Sequence, residues 1–292
     1  MKKLKKTSVG LAWLARARPA AAPAPARAAG DRLDLLLPRG WPDSGSPVFW
    51  RWQRRGDTVQ SGQVGDLHQL PEAARGVRTH VWTPAGDTVL ISATLPTRSP
   101  RKIAQALPFA LEDRLLGDPE TLHFAYRTES DGSPSVAITA HARRRAWTEA
   151  PGQAGLKPLT LCPATLLVPW ALDCWSLAFD ENEILVRTGG ASGFVTPLAQ
   201  AATPTAREGG SAERDTSPAG INAGAVVPPP LLAAALEEAA RTTARDGGST
   251  ENAGAVIPRR KTPECLVVFN APAGFPAETW SAQLQVPVRV EQ

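Results

Sequence analysis

The side chains in this 292-residue chain that could do chemistry are few, and their spacing sets the first limits. Cys162, Cys174 and Cys265 form no CxxC pair and fall into no zinc pattern with the histidines. An odd, sparse set of cysteines suits a reducing compartment, where a free thiol behaves as a small apolar side chain. His68, His80, His123 and His141 are scattered, which points to core or surface roles rather than a metal cluster. The chain contains no GxxxxGK[ST] phosphate loop. It also lacks a local signature for a Ser/His/Asp or Cys/His nucleophile. Neither a metal nor a cofactor is expected, and what remains is the chemistry of surfaces: charge, apolar patches and sheet edges that another protein could read.

Positioning such surfaces requires a folded scaffold, and the composition allows one. Hydrophobic residues make up 42% and charged residues 21%, close to ordinary globular usage. The length suffices for one large domain or two small ones. The 28 prolines and 24 glycines are in excess and cluster. Residues 1–30 carry Lys2, Lys3, Lys5, Lys6, Arg16, Arg18 and Arg27 and no acid. The formal +4 therefore leaves residues 31–292 at a net −3 once the +7 of that segment is removed. Without a basic stripe beyond residue 30, nucleic acid is not an expected partner. No apolar run reaches the ~18–20 residues of a bilayer span. Two readings of residues 1–30 stay open. One is a secretory signal with Ala20-Ala21-Ala22 near its cleavage site; the other is a disordered extension, or a start assigned too early. Arg16 and Arg18 interrupt the sequence after the short apolar run and favour the second.

From Asp31 the pattern becomes regular. Arg32–Leu37 reads as a strand, stopped by Pro38-Arg39-Gly40. Residues 48–54 and 58–64 read as a hairpin about Gly56-Asp57, with Val48, Trp50 and Trp52 on one face and Phe49, Arg51 and Gln53 on the other. Residues 71–75 form a short helical segment, and 78–82 and 88–94 are strands about the turn at 84–87. Ser99 and Pro100 suit the N-cap and first position of a helix over 100–116. Ile103, Leu107, Leu111 and Leu115 recur on one face, as the core side of any amphipathic helix would. Pro108 cannot donate to the carbonyl of Ala104, so a kink or restart is expected there. Strands at 122–127 and 135–141, a short helix at 143–149 and a strand at 159–162 follow. A hairpin over 175–187, a helix at 231–244 and strands at 264–270 and 286–290 complete the chain. Hairpins, helix and strands, repeated less clearly in the second half, predict a mixed α/β protein of two lobes, 31–158 and 159–292.

Residues 201–260 differ, being rich in Ala, Gly, Pro, Ser and Thr. Asn222–Pro228 returns almost unchanged as Asn252–Pro258, and Arg207–Ser211 is echoed by Arg245–Ser249. Two copies are too few for a solenoid. A duplicated, flexible insertion carrying one helix is expected.

Residues 101–125 read RKIAQALPFALEDRLLGDPETLHFA. The run Ala106, Leu107, Pro108, Ala110, Leu111, Glu112 and Asp113, then Leu122, His123, Phe124 and Ala125, resembles the signature of type II secretion system protein L. Leu35-Leu36-Leu37-Pro38, Gly65-Asp66-Leu67, Leu70-Pro71, and Arg187-Thr188-Gly189 with Gly193-Phe194 also fit that family, in order, from Asp31 to Leu198. The resemblance implies an actin-like (ribonuclease H-like) cytoplasmic domain of two α/β lobes at the inner membrane. It further implies recruitment of the cytoplasmic secretion ATPase, coupling to pseudopilus assembly, contact with other platform proteins, and a homodimer. The family continues into a transmembrane helix and a periplasmic domain, neither of which lies within residues 1–292. Leu107, Pro108, Leu111, Glu112, Asp113, Arg114, His123, Phe124 and Arg187 are the signature residues and candidate interface.

An actin-like ATPase needs an Asp-x-Gly-Thr/Ser turn after its first strand, offering backbone amides and a carboxylate for the metal. Here that place reads Pro38-Arg39-Gly40-Trp41-Pro42-Asp43. Two prolines remove donors, and no carboxylate precedes the glycine. A second loop could only be Gly189-Gly190-Ala191-Ser192-Gly193, which lacks its aspartate. A docking protein rather than an enzyme is expected. The alternatives are a divergent actin-like ATPase or sugar-kinase-like enzyme, and a type IV pilus assembly platform protein.

Overall fold

The computed structural model describes residues 31–54, 59–115, 117–129, 132–180, 183–198, 228–245 and 262–291. Residues 1–30, the turn at Gly56-Asp57 and both copies of the repeat (apart from Pro228) lie outside the described residues, as does most of the expected insertion.

The first sheet contains β1 (Arg32–Leu36), β2 (Val48–Gln53), β3 (Val59–Val64), β4 (Arg78–Thr83) and β8 (Pro158–Pro163), in the order β3-β2-β1-β4-β8. The second contains β9 (Cys174–Phe179), β10 (Glu183–Arg187), β11 (Gly193–Pro197), β12 (Cys265–Phe269) and β13 (Val288–Glu291), in the order β11-β10-β9-β12-β13. The two share one plan. Three strands form an antiparallel meander, the first of them pairs in parallel with the fourth, and the fourth with the fifth. This is the expected two-lobed α/β arrangement, made by repeating one topology. Because β8 adds to the first sheet, residues 158–163 belong with the first lobe, beyond the boundary expected at 158/159.

Each sheet is covered on both faces, so its strands are apolar on both sides. Leu33 and Leu35 of β1 and Trp52 of β2 pack outward under α2 (His141–Gln153), whose Trp147 is 1% exposed. In the second sheet Leu177, Phe179, Ile184 and Val186 pack under α3 (Pro230–Arg245) and α4 (Ala277–Leu284), which contribute Leu232, Leu236 and Trp280. The inner faces meet one another: Leu36, Phe49 and Trp82 lie against Ala178 and Leu185, with Ala164, Leu167 and Val168 between. Phe49, expected on a polar face, is buried because the second lobe covers that face.

Between β4 and β8 the first lobe carries a smaller sheet, β5 (Val89–Ser92), β6 (Leu122–Thr128) and β7 (Pro134–Ala140), in the order β5-β7-β6. Helix α1 (Pro100–Leu111) lies on it through Ile103, Leu107 and Leu111. In the second lobe the Ala/Gly/Pro-rich sequence flanks α3, between β11 and β12.

Three local expectations change. Helix α1 runs through Pro108 but ends at Leu111, and Glu112–Arg114 tightens into a 3-10 turn, since the donor missing at 108 leaves the last turn under-bonded. Helix α2 is longer than expected, reaching Gln153 through Pro151. Cys174 and Cys265 are joined by a disulfide rather than being separate thiols. The parallel register of β9 and β12 sets the two residues side by side, Cα atoms 4.9 Å apart. Cys162 remains a thiol, and burial pushes it up to about 11.

Candidate functional site

Two features of the scaffold are places where function could reside: the cleft between the lobes, where an actin-like enzyme would hold nucleotide, and the surface around α1.

The cleft opens where β1 runs out at Leu36-Leu37-Pro38-Arg39 and encloses about 220 Å³. Pro38, Pro47 and Pro84 line it with Phe49, and the second lobe contributes Asp180 and Glu183. Four of the amides after β1 bond within the protein, the first being Leu37 N–H, which donates to the Trp82 carbonyl at 2.9 Å. Trp41 N–H donates to the Pro38 carbonyl at 3.2 Å, and Asp43 and Ser44 N–H donate to the Gly40 carbonyl at 3.0 and 3.1 Å. Burial, and then the charge of Asp180, raise Glu183 above the usual carboxylate range, against the pull of Arg39 3.8 Å away. Among the lining residues two carboxylates, Asp180 and Glu183, stand against one cation, Arg39, which is drawn to Glu183, and Pro38, Pro47 and Pro84 offer no amide donors to a phosphate.

The second glycine-rich segment is used from within. Arg187 is 5% exposed, and its guanidinium donates to the carbonyls of Leu166 and Val168 (both 2.8 Å), Gly189 (3.0 Å) and Gly190 (2.8 Å). Burial lowers its pKa, but four charge-assisted bonds hold the cation in place. Arg187 thus ties the β10–β11 turn to the segment that enters the second lobe. A side chain at Gly193 would stand 2.5 Å from the Val186 carbonyl oxygen, so that position is closed to anything larger.

Around α1 the signature residues divide. Ser99 occupies the N-cap with extended backbone, although its hydroxyl makes no capping bond; its carbonyl accepts from Ile103 N–H at 2.9 Å. Tyr126 donates its hydroxyl to the Pro100 carbonyl at 2.8 Å and fixes the helix start to β6. Leu107 and Leu111 are buried, Pro108 is half-buried, and Phe124 packs beneath them. His123 points from the other face of β6 to His141, their rings 5.8 Å apart. Burial, then Arg144 and His141, depress its pKa. Glu112, Asp113 and Arg114 are exposed. Of the nine candidate residues, these three form a surface group; Leu107, Leu111, Phe124 and Arg187 hold the scaffold together. Sequence reasoning missed Phe109, the most exposed large hydrophobic residue described, at 79%. Its signal was present: an aromatic residue off the apolar stripe of the helix.

Among the described residues no group of three or more His, Cys, Asp and Glu is placed to hold a metal ion, and no helix is long and apolar enough to cross a membrane.

The profile of the family described as "Type II secretion system (T2SS), protein L" matches residues 44–208, more than half of the chain. The chain is 29% identical over 157 residues to Type II secretion system protein L of Dickeya chrysanthemi, covering 53% of this chain and 39% of that protein. To the protein of the same name from Klebsiella pneumoniae it is 32% identical over 145 residues, covering 49% and 36%. It therefore spans well under half the length of these relatives. Among solved structures, the cytoplasmic domain of EpsL, an inner membrane component of the type II secretion system of Vibrio cholerae, aligns with a TM-score of 0.51 and 22% identity, over 57% of this chain and 71% of that one. A PilM-PilN type IV pilus biogenesis complex aligns with a TM-score of 0.50 and 16% identity, over 89% and 88%. At these identities the structural likenesses speak for the fold alone.

Proposed function

The chain belongs to the type II secretion system protein L family, and from that premise we propose that it is a platform module at the cytoplasmic face of the inner membrane, which recruits the secretion ATPase and couples it to pseudopilus assembly. The observation that carries this reading is the family match over residues 44–208, which takes in the helix signature and the glycine-bearing turn at 189–193. The cleft supports a docking role over a catalytic one. Three prolines in its lining offer no amide donor, and its two carboxylates outnumber its one cation, Arg39. The protein acts by presenting surfaces, as a homodimer in contact with other platform proteins. Two surfaces are suited to this. One is the outer side of α1 with Glu112, Asp113 and Arg114. The other is the edge strand β3, Val59–Val64, which carries neither charge nor proline and can accept an added strand.

Calorimetry of the chain with the N-terminal domain of its cognate secretion ATPase tests the proposal. Stoichiometric binding that is indifferent to ATP is the expected result. No binding, together with affinity of the chain itself for ATP, would overturn it in favour of a divergent ATPase.

A further inference from the structure

Helix α1 carries its charges the wrong way round for a helix on its own. Its first turn holds Arg101 and Lys102 and no acid. Glu112 and Asp113 close its C-terminal end. A helix's N-terminus favours anions and its C-terminus cations, so all four oppose the macrodipole. Among the described residues none of the four has an ion-pair partner. All are exposed, and Phe109 lies between them.

These residues share one side. Arg101, Lys102, Gln105, Phe109 and Glu112 follow one another at helical spacing, opposite the buried stripe of Ile103, Leu107 and Leu111. Because α1 is the outer layer on its small sheet, that side faces away from the rest of the molecule. Basic, apolar and acidic groups therefore run in order along one exposed line, and the line is complementary to itself when reversed.

We propose that the outer face of α1 pairs antiparallel with the same face of a second copy of this chain, making the homodimer of the platform reading on which this inference rests. The twofold axis passes between Gln105 and Phe109. Arg101 and Lys102 then meet the second copy's Glu112 and Asp113, twice over, and opposed dipoles replace the conflict within each helix. Phe109 lies two residues from the axis, so the two rings are offset along it by about 6 Å, within reach of an offset stack. Two helix faces of this length bury less than the ~1,000 Å² of a stable soluble dimer. The pair is weak in free solution and fills when two chains are held in one membrane plane at high local concentration. The β3 edge is left open for the ATPase.

Sedimentation velocity of the full chain at low salt, from about 10 µM to 1 mM, tests this. The expected result is a concentration-dependent shift from monomer to dimer, weakened at least about tenfold by Phe109→Ala. The double reversals Arg101→Glu/Lys102→Glu and Glu112→Lys/Asp113→Lys each abolish the shift, and a 1:1 mixture of the two restores it. Because the reversals agree with the macrodipole, neither lowers the thermal midpoint. That separates lost pairing from lost folding. A chain that stays monomeric to 1 mM, a shift indifferent to both reversals, or a mixture of two folded variants that does not recover it would overturn the proposal. If the reversals instead abolish ATPase binding and leave self-association intact, the face belongs to the ATPase and the proposal also falls. Failure of the wild-type chain to bind the ATPase while the mixture recovers would remove the platform reading and leave the pairing standing.

Discussion

Glu183 shows how a single side chain can report on the cleft. Its folded pKa is raised, first by burial and then by Asp180. The folded protein therefore holds that proton more tightly than the unfolded chain does. The group contributes stability below the ordinary glutamate pKa, and this is lost as pH rises through the folded value. At pH 7 the buried carboxylate is a net liability. Glu183→Gln is expected to raise the thermal midpoint at pH 7, with the gain shrinking to nothing near pH 4; an unchanged midpoint at pH 7 would mean that the cleft solvates this carboxylate. None of this was legible in the sequence. The hairpin that carries Asp180 and Glu183 could be drawn, but it is the packing of Leu185 against the first lobe that turns Glu183 toward Pro38 and Pro84. Phe109 is the reverse case, since its exposure followed from the helical period already in hand. The cysteines lie between the two. Cys174 and Cys265 are 91 residues apart, and only the register of β9 on β12 brings them together.

At the level of elements, strong periodicity carried the reading. The strands of the first sheet and the start of α1 came within one or two residues of their observed ends, because alternation and a four-residue repeat are local signals, whereas α1 stops at Leu111, five residues before its expected end. Helix α4 was missed: Ala277–Leu284 is eight residues long with Trp280 as its single buried side chain, too short to show a period. Strand β11 was not among the expected strands. It exists because β10 pairs with it and Arg187 secures the turn between them. Arg187→Met keeps the volume and removes the donors, leaving four carbonyls without this partner. A loss of about 3 kcal/mol is expected in urea unfolding, from the cost of stranding buried acceptors. A loss under about 0.5 kcal/mol would show that water or a shifted turn replaces the guanidinium.

For the whole molecule, the duplicated topology with an apolar layer between the sheets was foreseen as two lobes, but the joint between them was not. Alternate faces of β1, β2, β9 and β10 feed that layer, and no local pattern tells a strand that a second sheet will cover its other side. The layer has a functional corollary. Leu36, Phe49, Trp82, Ala178 and Leu185 would have to leave contact for the lobes to part, so opening and closing on a nucleotide is costly. Magnesium and ATP at 1 mM are expected to leave the thermal midpoint unchanged. A ligand present at a hundred times its dissociation constant would add about 2.7 kcal/mol and be evident at once.

The bond between Cys174 and Cys265 has a topological consequence. It converts everything from β9 to β12 into a covalent ring whose two ends are pinned on neighbouring strands. The low-complexity sequence on either side of α3 lies on the circumference of that ring. Lengthening or shortening it changes the girth of the ring but not the place where it closes, and the entropic cost of closure grows only with the logarithm of length. Repeats such as Asn222–Pro228 and Asn252–Pro258 can therefore accumulate there without moving either lobe.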